Sequence, residues 1–548
     1  MKVADFFCGA GGFSEGFRQM GFEIVFGLDK WAPAIETVKL NHPGINAVCM
    51  DILDLKTPKE IDKMVPDVDI IIGSPPCVAF SNSNKSKKAD KRYGISLIEQ
   101  YLKIIAWKKN KPKSKLRYWI LENVPHSSSF MKDNYTFDDL GLRGGKKIAL
   151  NIQNKNILDS SDYGVPQHRI RLFCGEYPLL IRTYNKQNWM HTSHVLEYLT
   201  DPLKKNEFKI IKDPCYDLEI RKKDMTDHFY DSRIADWKWQ RAKSLKEDHG
   251  FMGRMSFPED LDRPCRTIMA TRSTSSRETM IFGAKKKGGR YLSYRLPTIR
   301  EIASIMSFPI TYQFEANNEA SKYKLVGNAV CPLQARALAE AIAEEEDMIV
   351  PNNFIPVKNY QKVSYDLTGL KRKKQQKCPK IWSTKFARHI PYLKIRGFRV
   401  ELDNKKSDFK NNKIIWSSVL HQGQGKNAFK CECASVDIEK LINKSLFFDK
   451  ELFDEFKKDI IKLIDEKVPL AEQLQKGYCN MENSNQNGPN EILTNIRLIV
   501  DDYFSEKEYF KAVIKNYNDI IEIPRQDIPL RIIMGYYALN KVVENINM

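Results

Sequence analysis

Residues 5–17 read DFFCGAGGFSEGF. The stretch begins at the end of a short strand-like run, KVADFF, and ends inside a segment, FSEGFRQMG, with helical character. Between the two stand Gly9, Gly11 and Gly12. Glycine has no Cβ, so such a loop turns tightly and lets its backbone come close to a bound molecule. A strand, a glycine loop and a helix in this order open a doubly wound α/β fold, in which ligands gather at the carboxyl ends of the strands.

The same rhythm continues to residue 175. EIVFGLD reads as a strand and WAPAIETVKLNHP as a helix; DVDIIIGS and RYWILENV read as buried strands, with the helix ISLIEQYLKIIAWKK before the second. Alternation of this kind predicts a mostly parallel sheet with helices on both faces. Residues 176–261 break the pattern, mixing Trp, Tyr and His with charge, as in HFYDSRIADWKWQRAKS. Regular structure returns over 262–345 and ends in the helix PLQARALAEAIAEEEDM. Residues 346–548 form a further region. There KELFDEFKKDIIKLIDE places Leu452, Phe453, Phe456, Ile460, Leu463 and Ile464 on one helical face, and KRKKQQK (371–377) is a basic cluster.

Two acids follow the glycine loop at the ends of strand-like segments. Asp29 comes about 20 residues later, where doubly wound folds hydrogen-bond a ribose hydroxyl. Asp51 ends NAVCMD, placed to accept from an adenine amino group. A dinucleotide fingerprint requires a third glycine where this chain has Ser14, which weakens a nicotinamide reading. Two carboxylates without a phosphate-binding lysine suit S-adenosylmethionine, a cation that carries no phosphate.

The stretch GSPPCVAFSNSN (73–84) brings a thiol to the end of a strand directly after two prolines. Proline fixes φ and lacks an N–H, so the pair holds Cys77 in a defined extended shape. A free thiol, with an ordinary pKa of about 8.5, is only a few per cent thiolate at pH 7 yet intrinsically very nucleophilic. LENVP adds Glu122 and Asn123 at the end of the next strand; GVPQHRIRLF adds Arg169 and Arg171 at alternating positions, projecting from one strand face. A thiolate, a carboxylic acid and an arginine can activate a pyrimidine: hydrogen bonding at N3 draws electrons from C6, and the thiolate adds there. Attack comes from above the ring, so a base in a duplex must first be extruded.

The chain has 548 residues, room for two or three domains. Lys and Arg number 88 against 69 Asp and Glu, a net charge of +19, which points to a polyanionic partner. The eleven cysteines are scattered without zinc-finger spacing, so free thiols in a reducing compartment are expected, with no metal. Cys431 and Cys433 read as packed thiols. No signal peptide and no apolar run of about 18 residues is found, so no membrane segment is expected.

Taken in order, these motifs resemble the DNA (cytosine-5) methyltransferase family, of the bacterial modification methylase type. The similarity runs from residue 1 to about 345. DFFCGAGGFSEGF resembles the first cofactor motif, GSPPCVAFS the nucleophile motif, LENVP the acid motif and DYGVPQHRIRLF the arginine motif; RPCRTI, YRLPTIREIASIMSFP and KLVGNAVCPLQARALAEAI resemble the later ones. The resemblance implies a Rossmann-like methyltransferase sheet over 1–175 that binds S-adenosylmethionine, a target-recognition region over 176–261, a return to the catalytic domain over 262–345 and a C-terminal, mainly helical extension over 346–548. It makes Cys77 the nucleophile, puts Glu122 on N3 and the exocyclic amine and Arg171 on O2 of the cytosine, and has Asn123 and Arg169 steady the pocket. Phe7, Gly9, Gly11, Asp29, Asp51 and Asn328 are implied to hold the cofactor, with Ile52, Pro75 and Leu97 lining it. Its substrate is implied to be double-stranded DNA.

The chain departs from that pattern in two places. Val78 stands where the family usually has Gln, and Lys30, also counted toward the cofactor, stands where an apolar or aromatic residue is common, with Trp31 next. The basic stretch SNSNKSKKADKRYG (81–94) is expected to close over DNA. For the C-terminal region the expectation is a DNA-contacting or self-association extension, since no nuclease-like pairing of acids with Lys stands out. The setting expected is a cytoplasmic, nucleoid-associated bacterial enzyme of a restriction-modification system, beside a cognate endonuclease that shares its site without stable contact. A tRNA cytosine-5 methyltransferase and a non-catalytic DNA-binding relative are the alternatives. Target sequence and oligomeric state are not legible.

Overall fold

The IIIG run of residues 70–73 is buried on both faces, which happens only where helices cover a sheet on either side. In the computed structural model of the chain, the described residues are 1–77, 91–203, 210–247, 254–274, 276–287, 290–357, 362–371, 382–423, 429–444, 448–479, 487–511, 513–514 and 527–548. They divide into two compact units, 1–234 with 258–373, and 235–257 with 374–548.

The first unit is built on a seven-stranded sheet. Its strands are β1 (Lys2–Phe6), β2 (Glu23–Asp29), β3 (Asn46–Cys49), β4 (Ile70–Gly73), β5 (Tyr118–Asn123), β8 (Asn154–Asp159) and β9 (Ile170–Glu176); a small hairpin of β6 (Asn134–Thr136) and β7 (Ile148–Asn151) stands apart. The order is β3-β2-β1-β4-β5-β9-β8. The first five run parallel, and β9 is antiparallel to both β5 and β8. The expected doubly wound, mostly parallel sheet is therefore present.

Strand alternation sorts the side chains into two cores. Val3, Ile70, Ile72, Ile120 and Phe173 face α1 (Gly12–Gln19) and, from the far end of the unit, α9 (Pro332–Glu345). Ala4, Phe6, Ile71, Trp119 and Leu121 face α3 (Pro58–Met64) and α4 (Lys91–Asn110), while α2 (Ala32–Asn41) covers the β2–β3 side. The α1–α9 contact is close enough that a Cβ on Gly16 would lie 2.5 Å from Ala335 Cβ, and one on Gly12 would lie 2.1 Å from the Val330 carbonyl oxygen just before α9.

Residues 176–345 contribute α5 (Thr192–Leu199), the hairpin β10 (Ile210–Asp213) and β11 (Leu218–Arg221), α6 (Asp236–Glu247), the hairpin β12 (Phe282–Lys287) and β13 (Arg290–Arg295), α7 (Ile299–Ile305) and α8 (Glu319–Asn328). Fully buried ion pairs pin this part: Lys322 Nζ to Asp227 at 2.8 Å, and Arg295 to Glu301 at 2.6 Å. Each is held by further hydrogen bonds, as a buried charge requires.

The packing division cuts across two of the expected segments. Residues 346–373 stay with the first unit, where the Leu367 amide donates to Asp227 at 3.0 Å and the Leu367 side chain joins the core around α7 and α8. Residues 235–257 belong to the second, with Tyr392 Oη donating to the Glu247 carbonyl at 2.8 Å. That unit holds an antiparallel sheet, β14 (Ala387–Ile395), β15 (Phe398–Asp403), β16 (Ser417–Gln422) and β17 (Phe429–Cys431), which the sequence reading did not anticipate. The other elements are α10 (Ser435–Asn443), α11 (Lys450–Lys467), α12 (Ala471–Tyr478), α13 (Pro489–Phe504), α14 (Lys507–Lys511), the short pair β18 (Val513–Ile514) and β19 (Ile528–Pro529), and α15 (Leu530–Ile546). The core lies between α15 and the sheet. Helix α11 starts at the Asp449 side chain, which accepts from the amides of Glu451 and Leu452, and buries Phe453, Phe456, Ile460 and Leu463 from the expected face. Cys431 and Cys433 pack partly buried against this core. Most of the basic cluster 371–377 lies outside the described residues. Among the described residues no helix is long and apolar enough to cross a membrane, and no group of His, Cys, Asp and Glu could hold a metal.

Candidate active site

The parallel strands end along one edge of the sheet, and the reversed strand β9 begins there. Loops after β1, β2, β3, β4 and β5 and the first residues of β9 thus share one rim, as open α/β sheets arrange a ligand site.

Glu122 and Arg171 meet on that rim, with Cys77 within electrostatic reach of both. Glu122 lies opposite Phe173 in the β5–β9 register, so Arg171, two residues earlier, is on the same face. Its Nε stands 3.1 Å from Glu122 Oε1. Glu122 is buried, and burial pushes its carboxyl pKa up against the pull of Arg171 and Arg169. Cys77 is half-buried. Burial pushes its thiol up too; Arg171 draws it down and Glu122 raises it, so the three groups lie within electrostatic reach of one another. The other two predicted residues act through the backbone. Asn123 donates from Nδ2 to the Pro75 carbonyl at 3.0 Å and accepts from the Val124 amide, tying the Pro-Pro-Cys turn to β5. The buried guanidinium of Arg169 does not share the outlook of Arg171: it donates to the carbonyls of Ile268, Gly327 and Ala329 at 3.2, 3.1 and 3.0 Å. The reason is local, since Arg169 precedes the first residue of β9 and strand alternation does not govern it.

The cofactor candidates occupy the neighbouring part of the rim. Phe7 has φ +54°, a strained backbone for an aromatic residue, and Gly11 caps α1 with φ +80°. A Cβ on Gly9 would meet only the Phe7 carbonyl oxygen at 3.9 Å, whereas one on Gly11 would lie 2.7 Å from Tyr312 Oη. Gly9 therefore fits close approach of a ligand, and Gly11 fits packing. Asp29 accepts from the Gly9 and Trp31 amides at 3.0 and 2.8 Å, which locks the glycine loop to the end of β2. Asp51 caps the turn after β3 by accepting from Leu53 at 3.0 Å. Ile52, Pro75 and Leu97 are buried; Lys30 and Asn328, the last residue of α8, are exposed. Two carboxylates beside an open glycine suit a cationic sulfonium nucleoside better than a pyrophosphate, with Lys30 standing 3.6 Å from Asp51 Oδ2.

Comparison with known proteins identifies the family. The model of the C-5 cytosine-specific DNA methylase family matches residues 1–344. The chain belongs to that family. It is an enzyme of the DNA cytosine-5 methyltransferase class, and the relatives it matches include type II methyltransferases. M.DdeI of Desulfomicrobium norvegicum is 27% identical over 400 residues, covering 63% of this chain and 88% of its own. M.MthTI of Methanothermobacter thermautotrophicus is 30% identical over 368 residues, covering 63% and 98%. Among solved structures, a protein described as a prophage-encoded DNA modification methyltransferase from E. coli is 20% identical, with a TM-score of 0.45 and coverage of 63% and 99%.

Within this methylase, Val78 and most of the basic stretch 81–94 lie outside the described residues. Sequence reading missed the supports beneath the rim. Ser14, which stands where a dinucleotide loop has glycine, donates to the buried Asp5 at 2.6 Å. Tyr312 donates to the Ala10 carbonyl at 2.6 Å and contacts His42 at 3.2 Å. The one signal for Asp5 is a charge in an otherwise apolar strand, KVADF; nothing local marks Tyr312, which arrives from 302 residues away.

Proposed function

We propose that this methylase methylates C5 of cytosine within a specific double-stranded DNA sequence, using S-adenosylmethionine, as part of a restriction-modification system. The observation that carries the reading is the meeting of Glu122 and Arg171, with Cys77 within electrostatic reach of both, beside a glycine loop flanked by two carboxylates.

Each side chain has a role in the pocket. With the cytosine turned out of the helix, Arg171 holds its O2 and orients Glu122 through their ion pair. Burial raises the pKa of Glu122 against the pull of the arginines, which eases sharing of a proton between its carboxyl and N3. That withdraws electrons from C6, and the Cys77 thiolate adds there, leaving C5 enamine-like and nucleophilic. Burial holds Cys77 toward the thiol, while Arg171 and Arg169 favour the thiolate. Asn123 keeps the Pro-Pro-Cys turn on the sheet, and Arg169 braces the rim from behind. Asp29, Asp51, Phe7 and Gly9, with Ile52, Leu97 and Pro75, hold the cofactor, which when bound supplies an electrophilic methyl group. Loss of the C5 proton and departure of Cys77 restore aromaticity.

The test is covalent capture. Duplex DNA carrying 5-fluorocytosine cannot lose a C5 proton, so the protein should remain attached through Cys77 in a denaturing gel. Cys77→Ser should abolish the band. Capture on tRNA and not on DNA, or no capture by wild type with cofactor present, overturns the proposal.

A further inference from the structure

We propose that Tyr93, braced by Lys30, is the aromatic wall on which the adenine of the cofactor rests; the inference builds on the reading of this rim as an S-adenosylmethionine pocket. Three chain segments meet at this point: Lys30 just after β2, Asp51 just after β3, and Tyr93 in the first turn of α4. Tyr93 Oη donates to Asp51 Oδ2 at 3.4 Å. Lys30 Nζ lies 4.9 Å from the centre of the Tyr93 ring, hydrogen-bonds its phenol oxygen, and stands 3.6 Å from Asp51 Oδ2. A cation over a ring face and a hydrogen bond to its edge fix the ring with respect to the carboxylate.

The two oxygens of Asp51 have different duties. Oδ1 is committed to the Leu53 amide, so Oδ2 is the atom available to a ligand amine, and Tyr93 stands beside it. Trp31, next to Lys30 in sequence, faces elsewhere: it packs with the core around α7 and α8, and Lys324 of α8 lies 4.6 Å over its ring. Tyr93 remains 40% exposed, the only tyrosine of α4 left so. A flat heteroaromatic ring with an exocyclic amine answers both features, its face on Tyr93 and its amine on Asp51 Oδ2. This also accounts for the departure at position 30. A lysine there supplies no wall itself, but it holds in place one that comes from α4.

Calorimetric titration with S-adenosylhomocysteine, which binds without reacting, tests the inference on the intact chain. Stacking of a base on an aromatic side chain predicts that Tyr93→Ala weakens binding about 5- to 140-fold. Tyr93→Phe keeps the ring and should stay within about threefold of wild type, and Lys30→Ala should fall between the two. Adenosine alone should lose the same factor as the full ligand, because the loss belongs to the adenine end. Tyr93→Ala binding as tightly as wild type, or tighter, overturns the inference while leaving the pocket reading intact. Failure of wild type itself to bind S-adenosylhomocysteine overturns the pocket reading and this inference with it.

Discussion

Arg169→Met should loosen the rim without touching the reacting atoms. The guanidinium reaches three backbone carbonyls, one before the β12 hairpin and two at the end of α8, and so clamps β9 to both. Hydrogen bonds from a charged donor contribute about 1.5–3 kcal/mol each. Burial of the guanidinium opposes this, since its pKa falls from 12.5 to about 10, worth about 3 kcal/mol. Methionine fills much of the same volume but offers no donor. The net loss is therefore about 2–6 kcal/mol, confined to this corner of the first unit. Amide hydrogen exchange reads it locally. Peptides covering residues 170–176 and 325–331 should exchange about 30-fold to 10⁴-fold faster than in wild type. Arg169→Lys, with one compact ammonium in place of a fork, should recover only part of the protection. If exchange stays within threefold of wild type while methyl transfer is lost, Arg169 acts through its charge or on the substrate, and its role as a brace is wrong.

Other expectations follow from the same geometry. Asp5 is pushed up to about 7 by burial, against the Ser14 hydrogen bond. Its folded pKa exceeds the unfolded value of about 3.9, so the native state loses stability as pH rises from about 4 to 7, by at most about 1.4 kcal/mol per pH unit. Asp5→Asn should therefore gain on wild type between pH 4.5 and 7.5 in thermal unfolding, and a constant difference would contradict the buried neutral acid. Gly12→Ala forces a methyl against the Val330 carbonyl, which neither backbone can easily avoid; a cost of about 1–3 kcal/mol or more should lower the unfolding temperature. Glu122→Gln should cut single-turnover methyl transfer by about 10²- to 10⁴-fold while DNA binding in gel shift changes little. Equal rates in the two proteins would remove Glu122 from the chemistry.

How much of this was legible beforehand depended on how local each feature is. The glycine loop, the IIIG strand and the α11 face are written in periods of two and 3.6 residues, and short windows suffice to read them. The reversal of β9 is not local. A strand pattern has no direction, yet the Glu122–Arg171 pair exists because β9 runs antiparallel to β5. Arg169 shows the limit of alternation: read as a strand residue it shares a face with Arg171, but it sits one position before the strand and turns to carbonyls from 99 to 160 residues away. The second unit was harder for a different reason. Strand β15, FRVELD, carries Arg399, Glu401 and Asp403 on one face, and β16, SSVLHQ, is buried throughout despite four polar residues. Charges at every second position suggest an exposed edge, but here Lys405 just past β15 pairs with Glu401, and His421 of β16 lies 3.6 Å from it. Burial of such residues depends on partners that fold brings together, and composition does not reveal them. The groups proposed for catalysis escape this difficulty because each stands at the end of a strand whose own apolar run is unmistakable. The positions of the rim residues could thus be read from single motifs, while the braces that hold the rim rigid had to be seen in three dimensions.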